Sequence, residues 1–416
     1  MLPEPIPKLS QIVMSEAKLM EKTRSLKGLM LKLVLAPFAV LFVVTLIAIR
    51  PIVKIMIYKV CKHRIGHFVW DTGLLELRAR ANRKNGENYH VLYYFPDSAT
   101  SNFEVERLWR QELRVISGSW GWLLYEIMRR MKFLVIKSTT IDFDGLIPDS
   151  EPLFRLSPRD TRESLCNRVP LPHTQEFVTL HVRDAIYETT LRSMVGKVRQ
   201  DARNSEITTY IEAAEFLANR GYYVFRMGSV PGPALITNHE QVIDYRNSSF
   251  RDEKTDVYLG ALCKFCVSTS SGWDSIPLSL NRPVIFVNLV PFFNPAVLSL
   301  RQIFFPKLIK DANSDKVLSF SEILERDAFS LNQNSQFTKL GLVSQALSSE
   351  ELVEAVTEMA QRVEGTFVET PEQKEMQAKA RHILSTHPKL QPTPNYYPIR
   401  AQLASCFLSR YPNFLK

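Results

Sequence analysis

From residue 89 onward, short apolar runs alternate with amphipathic stretches, the pattern of sheets with helices laid over them. Residues 89–95 carry Val91, Leu92, Tyr93 and Tyr94 and read as a buried strand. Residues 102–113 are charged and helix-like, residues 121–131 predict a second helix, and residues 133–136 a short strand. Pro148, Pro152, Pro158, Pro170 and Pro172 then mark a linker or wrapped loop. Beyond it, residues 177–183 predict a strand, residues 207–220 a helix stopped by Gly221, and residues 222–226 another strand. Residues 256–263 predict a helix that leads into a strand from Phe265. That strand ends in the small turn Ser270-Ser271-Gly272, followed by a short helix, Arg282-Pro283 and the apolar run 284–287. This order suits one right-handed βαβ unit. Alternation continues to about residue 345, and residues 350–363 predict a helix. Two such blocks around a proline-rich hinge predict two α/β domains facing each other.

The first 63 residues follow a different pattern. Residues 33–49 form an uncharged apolar run broken only by Pro37 and Thr45. As a helix such a run reaches about 25 Å, slightly short of a bilayer core of about 30 Å. Charge sharpens the contrast, because residues 1–64 hold 11 basic and 3 acidic side chains while the rest of the chain is nearly balanced. The excess of positive charge therefore belongs to the N-terminus rather than to a basic face of the folded domains, which argues against a nucleic-acid partner. Both flanks of the run are basic, so a single span and a bent, one-sided insertion both fit. Residues 52–62 mix Ile52, Val53, Ile55, Met56 and Val60 with Lys54, Lys59 and Lys62, and read as a basic, apolar surface helix. The expected divisions are a basic arm and membrane-associated helical segment over 1–63, a first α/β domain over 64–172, a second over 173–370, and a proline-rich tail with a closing helix over 371–416. Residues up to about Lys62 are expected to be dispensable for folding.

Candidate chemistry gathers where predicted strands end. Ser270-Ser271-Gly272 lets the backbone come close to a phosphate, and the following helix offers N–H groups, although the same residues suit an ordinary helix cap. His181 and Arg183 end a strand, and Arg183 could clamp a phosphate with its planar fork. Arg226-Met227-Gly228 ends another strand with a residue that permits a tight turn. Asp244 and Arg246 lie in a polar loop, and Asp256 stands where a helix cap is expected. Asp142-Phe143-Asp144 has the spacing of a D-x-D metal motif. Cys263 and Cys266 have zinc or redox spacing but lack a second pair. Five scattered cysteines without a disulfide framework fit a reducing compartment.

Several of these strings occur together, in one order. Arg64-Ile65-Gly66-His67, His181-Val182-Arg183-Asp184, Arg226-Met227-Gly228, Asp244-Tyr245-x-x-Ser248, Asp256-x-x-Leu259, Cys263-x-Phe265 and Ser270-Ser271-Gly272 resemble a bacterial glycosyltransferase family associated with surface-carbohydrate genes. The resemblance implies a GT-B-like α/β fold of two Rossmann-like domains facing a cleft, residues 64–172 forming the acceptor domain and residues 173–370 the domain that holds most of the nucleotide-sugar donor. His-x-Arg ahead of a serine-rich corner is also similar to the fucosyltransferase-like branch of GT-B enzymes, but Ile186 stands where that branch has Asp, so the donor sugar does not carry over. On this resemblance His181 and Arg183 are the catalytic candidates. Arg226, Gly228, Asp244, Ser248, Ser270, Ser271 and Gly272 are the donor-binding candidates, and Gly66 and His67 face the acceptor. No metal and no cofactor is expected, the nucleotide-sugar being a substrate. The acceptor is expected to be a glycan or lipid-linked glycan, and the location the cytoplasmic face of the inner membrane. His181 could donate a hydrogen bond to the leaving group or act as general base on the acceptor. A metal-dependent transferase using Asp142 and Asp144, and a non-catalytic polysaccharide-assembly protein, are the alternatives.

Overall fold

The computed structural model describes residues 29–137, 152–156, 161–186, 201–292, 301–390 and 400–416. The chain groups into two compact units, one of residues 1–62, 78–99 and 112–138, the other of residues 63–77, 100–111 and 139–416.

The first unit holds helix α1 (Leu29–Ala48) and strands β1 (Lys54–Lys59), β2 (Tyr89–Phe95) and β3 (Val115–Ser117). Helix α2 (Gly118–Met128) and strand β4 (Val135–Ile136) complete it. The strands form a parallel sheet in the order β3-β2-β1-β4. Residues 54–59 are thus not a surface helix. They pair with β2 along their whole length and with β4 on the other side. The reason is local: Ile55, Ile57 and Tyr58 favour a half-buried pleated surface, and Lys54 and Lys59 fall at the two exposed ends of the strand. Ala39, Val43 and Leu46 of α1 pack with Ile57, Tyr94, Leu123, Leu124, Met128 and Leu134 to form one buried cluster. The N-terminal segment therefore supplies a strand and a helix to this unit, where the sequence pattern had set it apart from the folded body.

The second unit is built on seven parallel strands in the order β13-β10-β9-β8-β5-β6-β7. They are β5 (Phe177–His181), β6 (Tyr223–Arg226), β7 (Val242–Ile243), β8 (Cys266–Ser268), β9 (Val284–Leu289), β10 (Gln302–Pro306) and β13 (Gln402–Leu403). A separate antiparallel pair, β11 (Leu308–Asp311) and β12 (Leu342–Gln345), follows β10. Every residue of β5, β8, β9 and β10 is buried. These strands consequently read as continuous apolar runs rather than alternating ones. Helix α3 (Ile211–Asn219) ends before Gly221, whose φ of 96° needs glycine. Helix α4 (Glu253–Leu262) is capped by Asp252, which accepts the Thr255 N–H at 2.9 Å. Asp256 thus lies one turn inside the helix and is buried, not at its cap. Helix α5 (Ser349–Glu364) opens with a reciprocal Ser348–Glu351 cap and closes on Gly365 at φ 74°. Its buried Glu358 accepts the N–H groups of Ser405 (3.0 Å) and Cys406 (2.8 Å), which fixes the segment that follows β13.

The strand order places the site. From β5 the chain builds outward through β6 and β7, then crosses to the other side of β5 and continues through β8, β9 and β10. Direction reverses between β5 and β8. In open parallel sheets the crevice outside the carboxyl ends of two such strands is where ligands bind.

Candidate functional site

β5 ends in His181 and β8 ends in Ser268, and the two residues are direct partners across the ladder. Leu180 pairs with Arg226 on the other side. Three of the strings singled out in the sequence therefore converge on one edge of one sheet, at its point of reversal.

His181 is only 8% exposed and stacks on the Trp273 ring, with centroids 5.4 Å apart and planes 21° apart. Its Nδ1 is buried with no hydrogen-bond partner among the described residues. Burial, followed by the charges of Arg246 and Arg183, drives its pKa down to about 3. At neutral pH the ring is neutral, with one nitrogen donating and the other accepting.

Arg183 is anchored at both ends. Its backbone N–H donates to Thr269 Oγ1 at 2.8 Å, which ties the loop after β5 to the turn after β8. Its guanidinium donates to Asp201 Oδ2 at 2.9 Å, and Arg203 clasps the same carboxylate at 2.6–3.1 Å. Burial pushes Asp201 upward, but hydrogen bonds from Arg203 and the two arginine charges bring it below the usual carboxylate range. Lys307, immediately after β10, is buried too and donates to the Asn204 carbonyl at 2.9 Å. Burial lowers its pKa to about 8, against the pull of Asp201. Asp201 and Lys307 escaped the sequence reading because neither sits in a motif. A lysine directly after the apolar run 302–306 was the one available signal.

Arg226 is 1% exposed and reaches both oxygens of Asp244, at 3.2 and 3.3 Å. Asp244 also accepts from Leu235 N (3.0 Å) and Asn247 Nδ2 (2.7 Å), so it ties together the loop between β6 and α4. Arg246 pairs with Asp184 and donates to the Val230 carbonyl. Its side chain lies so close to Gly228 that a Cβ there would meet Arg246 Cδ at 2.6 Å. The space at Gly228 is thus filled by Arg246. Ser248 Oγ donates to the Tyr245 carbonyl at 2.8 Å within a local turn.

The turn after β8 is held from inside. Ser268 Oγ and the Ser271 N–H both donate to Asp274 Oδ2, at 2.8 and 2.7 Å, and the Ser270 N–H approaches Ser268 Oγ at 3.2 Å. Ser270 adopts the left-handed region at φ 62°. Asp274 is buried, and burial raises its pKa to about 6. Sequence pattern alone missed it, although Ser271-x-x-Asp274 has capping-box spacing.

Gly66 and Gly272 meet back to back. A Cβ on Gly66 would lie 3.2 Å from Gly272 Cα, and one on Gly272 would lie 3.1 Å from Ile65 Cγ2 and 3.2 Å from Gly66 N. A side chain at either position would press the two backbones apart by a few tenths of an ångström. The approach brings the Gly66-His67 segment against the serine turn and groups that segment with the second unit rather than the first. His67 is half exposed. Its Nδ1 lies 2.8 Å from Asp71 Oδ2, and that hydrogen bond, opposed by burial, raises its pKa.

At this edge five cationic side chains (Arg183, Arg203, Arg226, Arg246 and Lys307) interleave with the carboxyl groups of Asp184, Asp201, Asp244 and Asp274. The cluster includes a neutral, buried imidazole. It can receive an anionic oxygen cluster and donate hydrogen bonds to it. Among the described residues no group of three His, Cys, Asp or Glu side chains could hold a metal ion. Asp142 and Asp144 lie outside the described residues. Cys263 and Cys266 are buried, and burial raises both thiols.

No family model matches the chain, and no curated protein matches it. Solved structures that it resembles include glycosyltransferases. One is the ADP-heptose LPS heptosyltransferase II of E. coli, 15% identical with a TM-score of 0.36, covering 61% of this chain and 90% of that one. Another is a family 9 glycosyltransferase from Veillonella parvula, 11% identical with a TM-score of 0.42, covering 74% and 97%. A third is the dodecameric iron-containing heptosyltransferase TibC in complex with ADP-D-beta-D-heptose, 12% identical with a TM-score of 0.39, covering 74% and 77%. At such identities and TM-scores the likeness is no basis for assigning an activity.

Proposed function

We propose that the chain is a metal-independent, GT-B-like glycosyltransferase that moves a sugar from a nucleotide-sugar donor to a surface glycan or lipid-linked glycan. It would act at the cytoplasmic face of the inner membrane. The observation that carries this reading is the pairing of His181 with Ser268 where the strand order reverses, with Arg183 tied across the same gap to Thr269. A donor diphosphate there would lie against Arg183, the serine turn and the neutral His181. As the bond from sugar C1 to the diphosphate breaks, negative charge grows on the leaving group, and Arg183 would stabilise it. With a pKa near 3, His181 is a weak base at neutral pH, so this reading gives it the role of hydrogen-bond donor to the diphosphate. Arg226 and Asp244 would hold the loop that closes the site on one side. Gly66 and His67 would present the acceptor side of the same turn.

The test is calorimetric titration of the purified chain with UDP, GDP, ADP, CMP and dTDP. One nucleotide should bind clearly more tightly than the others. Arg183→Ala should weaken it by about 1.5–3 kcal/mol, the worth of a charge-assisted contact, with the melting temperature little changed because Arg203 still neutralises Asp201. Equal affinity of a folded Arg183→Ala protein would remove the donor site from this edge. Transfer that EDTA abolishes would reject metal independence.

A further inference from the structure

We infer that α1 does not cross a bilayer but lies along the first unit and presents its outer face to one leaflet of an anionic membrane. This deepens the membrane part of the proposed function and is independent of the sugar-transfer part. At 20 residues α1 is about 30 Å long, enough to span by length alone. Its packing argues otherwise. Ala39, Val43 and Leu46 are buried in the core of the unit, and Leu35 and Ala36 pack against the same cluster. Phe42 meets Trp120 edge-on at 5.9 Å, and Lys32 Nζ sits 4.1 Å from the centre of the Trp122 ring. The docked stripe runs from residue 32 to residue 46, nearly the full length of the helix. To span, the helix would have to leave this stripe and uncover Ile57, Tyr94, Leu123, Leu124, Met128 and Leu134, or drag the polar edges of the sheet into hydrocarbon.

The rest of the helix surface is apolar and open. Val34, Phe38 and Leu41 are 64%, 61% and 65% exposed, and Leu33, Val40 and Val44 are exposed beside them. These residues occupy almost all of the circumference that the docked stripe leaves. A second protein helix would cover only a stripe about 100° wide, whereas a lipid surface wets the whole remaining face. Charge names the lipid. Residues 29–53 contain no acidic side chain, and the N-terminal 64 residues are strongly basic. Cations stand beside aromatic rings at both ends of the helix: Lys32 over the exposed Trp122, and Arg50 with its guanidinium carbon 5.1 Å from the centre of the exposed Phe133 ring. Such pairs suit the headgroup level, with the ring in the acyl boundary and the cation on phosphate.

The experiment uses the full chain, tagged at both termini and added to sealed vesicles of phosphatidylethanolamine and phosphatidylglycerol. The chain should float with these vesicles and much less with phosphatidylcholine alone, and external protease should remove both tags. The triple variant Val34→Glu, Phe38→Glu, Leu41→Glu should lose roughly tenfold or more of its vesicle binding. Its melting temperature and nucleotide affinity should be unchanged, because all three positions point away from the core. An N-terminal tag protected while the C-terminal tag is cut would show a span and overturn the inference. A dimer that forms without lipid and is lost in the triple variant would give the face to a second copy instead. No flotation at all would overturn both this inference and the membrane part of the proposed function. Nucleotide binding reports separately on the sugar-transfer part.

Discussion

His181 is the residue whose chemistry the structure changes most. As part of a His-x-Arg string it could have served as acid, base or donor. Stacked on Trp273 and ringed by Arg183, Arg226 and Arg246, it is held neutral. Its side-chain NMR signals should stay those of a neutral ring from pH 8 down to about pH 4. Saturating nucleoside diphosphate should raise its pKa, since the added negative charge favours the imidazolium. A ring that titrates near its ordinary 6.5 in the free protein would refute the buried, cation-ringed setting. Asp274 shifts the other way. Its folded pKa, near 6, is above the value it has when unfolded, so the folded state holds the proton more tightly between about pH 4 and pH 6. This group therefore contributes stability below that window that is lost as pH rises through it. Asp274→Asn keeps an acceptor for Ser271 and Ser268 without the ionisation. The stability gap between variant and wild type should move by about 1–3 kcal/mol in favour of the variant from pH 4 to pH 7. Urea unfolding midpoints of the two proteins across that range measure it, and any contribution of His181 cancels in the difference. A gap independent of pH would mean that Asp274 is not raised.

Among elements, those read best from the pattern are the ones with strong local signals. The β2 strand was legible to the residue, because Tyr, Val and Phe at that density have few other uses. Helix α5 was legible to within a residue at each end because a serine–glutamate cap and a glycine frame it. β1 was misread, since Ile, Val and Met interrupted by lysines fit a lipid-facing helix as well as a strand. Only pairing with β2 and β4 distinguishes the two, and pairing is a long-range property. The same division holds in the candidate site. His181, Arg183 and the serine turn were visible as strand ends. Asp201, Asp274 and Lys307 were not, because their meaning comes from what folds against them. The misreading of β1 has an experimental consequence. A chain beginning at Lys62 lacks one of the two inner strands of the first sheet, and should lose the protection of β2 and β3 amides in hydrogen exchange while β5 and β8 keep theirs. Retained protection of β2 in that chain would show that the sheet closes without β1.

On the scale of the molecule, the chain forms two compact units, each built on a parallel sheet, and each sheet takes strands from well-separated parts of the sequence. The clearest case is β13, which lies beside β10 and pairs Gln402 with Ile303, about a hundred residues earlier. During synthesis at roughly 5–20 residues per second, the outer edge of β10 stands open for about 5–20 s before its neighbour exists. An open, apolar strand edge is a template for pairing with another nascent chain. Residues 342–390 are made in that interval, and they include α5, whose Glu358 accepts the Ser405 and Cys406 amides in the finished fold. The acceptor for the incoming segment is thus synthesised before the segment itself. The yield of soluble protein in a cell is expected to fall when translation slows, which lengthens the exposure, or when chaperones are scarce, which leaves the edge uncovered, with no contact in the finished fold altered.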